Sequence, residues 1–143
     1  MDYKTIVVHL DTDGGCMQRV DIAARLSVDF AAHLVGVYVA QPRDLPFAPG
    51  VAPAPELIAR WYGEQCERMQ QAKDVFRSRT AHAGVDGTEV RTAQGDAAEV
   101  LAMQARYADL LVVAQSDPEA ASEVTLVRHD LPDRAVLGCA RPV

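Results

Sequence analysis

Apolar and polar positions follow two periods along this chain, and the switches between them mark out its elements. Ile6-Val7-Val8-His9-Leu10 is a β-branched run closed by the turn cluster Asp11-Thr12-Asp13-Gly14-Gly15, which predicts a strand buried on both faces. Beyond it the period becomes helical. Gln18, Asp21, Arg25 and Asp29 share one arc, and Val20, Ala23, Ala24, Ser27 and Ala31 share the opposite one. His33 to Val39 is a second strand-length apolar run, so strand, helix and strand follow one another as in a parallel crossover.

Gln41 to Pro55 holds Pro42, Pro46, Pro49, Pro53 and Pro55 with Gly50, and proline's fixed φ and missing donor predict a loop there. From Glu56 to about Ala83, Ile58, Trp61, Tyr62, Met69, Ala72 and Phe76 recur at helical spacing, with Glu56/Arg60 and Glu64/Arg68 as outward i,i+4 pairs. Gly84 suits the stop of this longest helix, and Thr88 to Thr92 alternates weakly as a third strand. Gly95-Asp96 opens the next helix, with Asp96 as N-cap, Glu99 placed to reach back, and Val100, Leu101, Ala105 and Ala108 as its buried stripe. Leu110 to Ala114 is the fourth and most hydrophobic strand, Gln115 to Glu123 is turn-rich, and Leu131 to Gly138 predicts a last short helix. Only Val143 is left to begin a fifth strand, so either the fourth or the first strand is expected to present an unfilled edge. The domain, residues 1–143, is therefore expected to be C-terminally incomplete, with the polypeptide continuing past Val143, or else that edge is covered by a partner chain.

The size, 143 residues and 15.5 kDa, fits one domain, and 49% hydrophobic with 24% charged residues excludes whole-chain disorder. A net charge of −6 without a basic stripe argues against nucleic acid and anionic membrane as partners. Cys16, Cys66 and Cys139 are an odd set without Cys-x-x-Cys spacing, and the apolar run near Met1 is too short for a signal peptide or a membrane span. The expectation is a cytoplasmic protein.

In an open parallel sheet a ligand crevice lies beyond the carboxyl ends of the strands, where strand order reverses. That points to Asp11, Asp13, Gly14 and Gly15 after the first strand and to Gln115, Ser116 and Asp117 after the fourth. Here the chain resembles a known family. Tyr3 to Asp11, Ala23-Ala24-Arg25-Leu26, His33 to Val39, Gly95 to Val100 and Ala108 to Val113 are similar, in order and separation, to successive blocks of the universal stress protein family. The resemblance implies a doubly wound α/β fold with an open parallel sheet of order 3-2-1-4-5, helices on both faces, and a homodimer or tandem-domain pairing, often through the fifth strand. It also implies that Asp11 and Val39 stand where the family contacts adenine and ribose.

ATP-binding members of the family resemble one another in a Gly-x-x-Gly, nine residues, Gly-Ser/Thr pattern, whose glycines let backbone amides approach phosphates. This chain departs from it: Ala114 stands at the first glycine and Asp117 at the second, so Ala114, Gln115, Ser116 and Asp117 form a degenerate phosphate loop. A methyl narrows the approach and a carboxylate repels a polyphosphate. Triphosphate is therefore discounted, while ATP as a cation-bridged ligand, another adenine nucleotide or another small molecule stays open.

Plainer roles compete with these. Asp11 also suits a turn-former or helix cap, and His9, on the same strand face, suits a filled strand end as well as an imidazole–carboxylate pair. His33, His82 and His129 lack metal-ligand spacing, Ser27, Ser78, Ser116 and Ser122 lack a Gly-x-Ser-x-Gly elbow, and the cysteines lack an evident basic activator. No metal site and no catalytic residue is expected. Trp61, Tyr62, Met69 and Phe76 read as core or dimer packing. The favoured function is a stress-response module, dimeric and regulatory, with a degenerate nucleotide pocket. The alternatives are an ATP-binding, slowly hydrolysing relative and an adenylating-type enzyme of related architecture, for which the phosphate-loop signature is missing.

Overall fold

Helical returns between successive strands force every strand to run the same way, and the chain builds its sheet accordingly. The computed structural model describes residues 2–40, 50, 52–115 and 130–143. In chain order the elements are β1 (Thr5–Leu10), α1 (Cys16–Phe30), β2 (His33–Ala40), α2 (Pro55–Ala83), β3 (Thr88–Gln94), α3 (Ala97–Ala105), β4 (Leu110–Val112) and α4 (Leu131–Gly138). The sheet is parallel with order β3-β2-β1-β4, in register Val7↔Val35 and Val7↔Leu111 across β1 and Gly36↔Val90 across β2. This is the expected doubly wound α/β fold.

Strand alternation divides the core in two. Ile6, Val8 and Leu10 with Leu34 and Tyr38 pack beneath Val20, Ala23, Ala24, Ala72 and Phe76 of α1 and α2. Val7 with Val35, Val37 and Val39 packs beneath Ala97, Leu101, Ala105 and Ala135 of α3 and α4. Gly36 of β2 makes the first layer possible, because a Cβ there would lie 2.8 Å from Leu10 Cδ1 and 2.9 Å from Phe76 Cδ2. Asp96 accepts from the Glu99 amide at 3.2 Å as the expected N-cap, and Arg134 of α4 grips the same carboxylate at 2.9 and 3.0 Å, tying α4 to the start of α3.

Several boundaries differ from the sequence pattern. Ala31 is not on the buried arc: it is exposed just past α1 in the left-handed region at φ +49°, where Ala31 and Ala32 amides donate to the Val28 and Ser27 carbonyls. The buried cationic Arg19 takes a place on that arc instead. β3 runs on to Gln94, whereas β4 ends at Val112, so Val113 and Ala114 leave the ladder. Ala108 is buried but lies beyond the end of α3. On α2 only Ala72, Phe76 and Thr80 are buried; Tyr62 is 59% exposed and meets Trp61 edge to face instead of entering the core, and Arg60 pairs forward with Glu64 at 3.1 Å. β1 lies inside the sheet, and among the described residues β4, opposite β3, is an edge strand. There the Leu111 amide donates to the Pro142 carbonyl at 3.0 Å, one rung on the side where the family resemblance expects a fifth strand. Of the proline-rich segment, residues 41–49 and 51 lie outside the described residues.

Three outcomes follow for stability. Ala31→Gly relieves the left-handed backbone and raises stability by about 0.5–1 kcal/mol in denaturant titration. Gly36→Ala drives a methyl into Leu10 and Phe76 and costs about 1–3 kcal/mol by the same measurement. Asp109 Oδ2 accepts the Lys4 and Thr5 amides at 2.9 and 3.0 Å, and these bonds hold its carboxyl below the ordinary value of 3.8. Its contribution is thus present above that value and lost as pH falls through the lower folded value, so the denaturation midpoints of wild type and Asp109→Ala, separate at neutral pH, converge in strong acid.

Candidate functional site

The chain leaves β1 towards β2 on one side and reaches β4 on the other only after β3 and α3, so the strand order reverses between β1 and β4. The crevice of a doubly wound sheet opens at the carboxyl ends of such a pair. Val8 lies opposite Val112, and the two strands, running on in parallel, bring Asp11 and the Ala114–Gln115 segment to the same end. Ala114 is half-buried there and Gln115 exposed; Ser116 and Asp117 lie outside the described residues. Val39 sits one residue past the last β1–β2 pair, its side chain packed in the core on the α3 face, which leaves its main chain as the part able to meet a ligand.

Asp11 is 8% exposed and already held on both oxygens. Oδ1 accepts the Asp13 amide at 3.0 Å, the turn expected of an aspartate in that cluster. Oδ2 lies 2.7 Å from Arg19 Nη2 and 3.6 Å from His9 Nδ1. The structure thus brings His9 and Asp11 together, and adds a residue that the sequence pattern missed. Arg19 comes from the first turns of α1, is 4% exposed, and donates from Nε to the His9 carbonyl at 2.8 Å. The signal for it was its spacing: Cys16, Arg19, Val20, Ala23, Ala24 and Ser27 fall on one helical stripe, so an arginine at that position is turned into the protein.

The planar guanidinium uses its Nε and Nη2 edge on β1, and the close Nη2 contact is an ion pair whose N–H is turned off the oxygen. Nη1, on the other edge, is buried without a hydrogen-bond partner among the described residues. Such a donor is costly to leave unmet. Cys16, 3% exposed, lies in the same cluster; burial pushes its thiol above the ordinary value of 9.0 and outweighs the lowering pull of the Asp11 backbone and of Arg19. It is therefore a packed thiol instead of an activated one. Elsewhere His33 faces Glu89 at 3.7 Å on the half-exposed start of β2, and no group of three or more metal-ligating side chains occurs among the described residues. His129 and Ser122 lie outside those residues.

No helix among the described residues is long and apolar enough to cross a membrane. The model of the universal stress protein family matches residues 2–136. Among solved structures, a universal stress protein in complex with cAMP is 20% identical with a TM-score of 0.63, over 100% of this chain and 95% of that one. A protein of the same family from Burkholderia pseudomallei is 26% identical with a TM-score of 0.68, over 99% and 93%. UspA from Lactobacillus plantarum is 16% identical with a TM-score of 0.73, over 100% and 97%. No curated protein matches the chain. With the family's model spanning nearly all of its length and its sheet order and switch-point crevice in place, the chain belongs to the universal stress protein family.

Proposed function

We propose that this universal stress protein is a regulatory or interaction module that responds to a small adenine nucleotide, gripping the base and ribose and only weakly the phosphates. The observation that carries this reading is the unequal furnishing of the crevice. Its β1 side is a built polar cluster of His9, Asp11 and Arg19 with the Val39 main chain near by. Its β4 side offers Ala114, half-buried, where phosphate-gripping relatives place a glycine. A relative of the same fold was solved with cAMP, which carries a single phosphoryl group, and a ligand of that kind asks little of a phosphate loop. The nucleotide is then a signal and not a fuel, which favours this reading over ATP hydrolysis or adenylation.

The module works as a homodimer or paired with a similar domain. Supporting this, Met103 and Tyr107 at the end of α3 and Val136 and Leu137 of α4 are exposed apolar side chains on one side of the sheet, the side that also covers the β4 edge strand.

Calorimetric titration tests the first claim: AMP, cAMP and ATP with magnesium bind with affinities within about tenfold of one another, while an advantage of more than about a hundredfold for the magnesium triphosphate contradicts it. Light scattering on the eluting peak tests the second, with a dimer mass expected and a monomer at all concentrations contradicting it.

A further inference from the structure

We propose that two copies of this chain pair through the face formed by α3 and α4, about a twofold axis beside Ala102 and Met103, with the two α3 helices antiparallel across it. The proposal rests on the reading of the module as a homodimer and names the residues that make the contact.

Three observations lead to it. Large apolar side chains stand in water here: Met103 and, at 82% exposure, Tyr107 around the end of α3, and Val136 and, at 87%, Leu137 on α4. Between the two helices runs a groove of about 340 Å³ floored by Ala98, Ala102 and Gly138. A Cβ on Gly138 would lie 3.3 Å from Ala102 Cβ, so the helices approach closely and the floor is made of small residues. One face thus carries both projections and a recess, the shape that an isologous contact needs. The third observation is charge. Glu99 and Arg106 line the same groove, both exposed, and neither side chain makes an ion pair or a hydrogen bond among the described residues, whereas Arg134 beside them is committed to Asp96.

The order of the charges selects a second copy as the occupant. Glu99, Ala102, Met103 and Arg106 form one stripe of α3, with opposite charges equally far from its middle. Seven positions apart, about 10 Å along the axis, Glu99 and Arg106 do not meet within one helix. In an antiparallel pair turned about that middle, Glu99 lies opposite the partner's Arg106, and the contact occurs twice. A parallel pair would set like charge on like. A stripe that is its own complement when reversed is what a twofold contact requires and what an unrelated partner does not. The same axis brings the partner's Tyr107 over Ala98, where the small floor leaves room, and sets α4 against α4, covering Val136 and Leu137.

Sedimentation equilibrium on the full chain decides this with Glu99→Arg, Arg106→Glu and the double exchange Glu99→Arg/Arg106→Glu. Each single reversal meets like charge at both ends of the contact, and the expected rise in the dimer dissociation constant is at least about tenfold; the exchange restores it to within about threefold of wild type. If a reversal unfolds α3, seen as lost helical circular dichroism, Met103→Cys in a Cys66→Ser chain decides instead. Its thiol lies near the axis and forms a disulfide-linked dimer with diamide, and a chain that stays monomeric overturns the proposal. Dimerisation indifferent to the reversals, or lost in them and not recovered in the exchange, also overturns it; the first of these leaves the dimer reading intact with its contact elsewhere. Wild type that sediments as a monomer at all concentrations overturns both.

Discussion

A buried ion pair joins the end of the central strand to the start of the first helix, and the geometry of the crevice depends on it. Arg19 has the His9 carbonyl and the Asp11 carboxylate on one edge of its guanidinium, so the turn from Asp11 to Gly15 and the first turns of α1 form one rigid corner. A buried pair of this kind adds little net stability over apolar packing, but breaking it strands a charge in the interior. What the corner gains is definition: a donor edge fixed in position where the strand order of the sheet reverses.

The opposite wall of the crevice explains why definition matters there. β4 is only three residues long, and its chain departs the ladder at Val113 into Ala114 and Gln115 without the glycines that let amides wrap phosphates. Among the described residues the edge beyond β4 carries the backbone rung from the Leu111 amide to the Pro142 carbonyl. Apolar side chains on α3 and α4 stand exposed on the face that covers this edge. α4 packs in the core layer on this face and is held through Arg134 to the N-cap Asp96 of α3.

Much of this was legible in the sequence because it depends on period. Alternating strands and helices, the Asp96 cap, the Gly84 stop and the span of α4 are local signals, and each appears in the structure where the pattern places it. The misses came from tertiary demands. Ala31 carries no mark of a left-handed cap, since glycine is the residue that announces one. The aromatic pair on α2 has helical spacing, yet the helix is 29 residues long and its burial is confined to Ala72, Phe76 and Thr80, so spacing alone could not assign Trp61 and Tyr62 a partner. Arg19 falls on the buried stripe of α1 by spacing, but a cation there is explained only by the carboxylate of Asp11, eight positions back across the β1–α1 turn. Asp11 was a candidate from its place at the end of the first strand, and the structure adds what surrounds it.

The central claim is that the ligand docks on the arginine corner and not on the amides past Val113. Nuclear magnetic resonance of the protein labelled with nitrogen-15 in its arginine side chains and backbone tests it most directly. On addition of adenosine and of magnesium ATP in turn, the account predicts that the Arg19 guanidinium signals shift by the same amount with both, and that the Ala114 and Gln115 amides move little with either. Large triphosphate-specific shifts at Ala114 and Gln115 with an unperturbed Arg19 would contradict it.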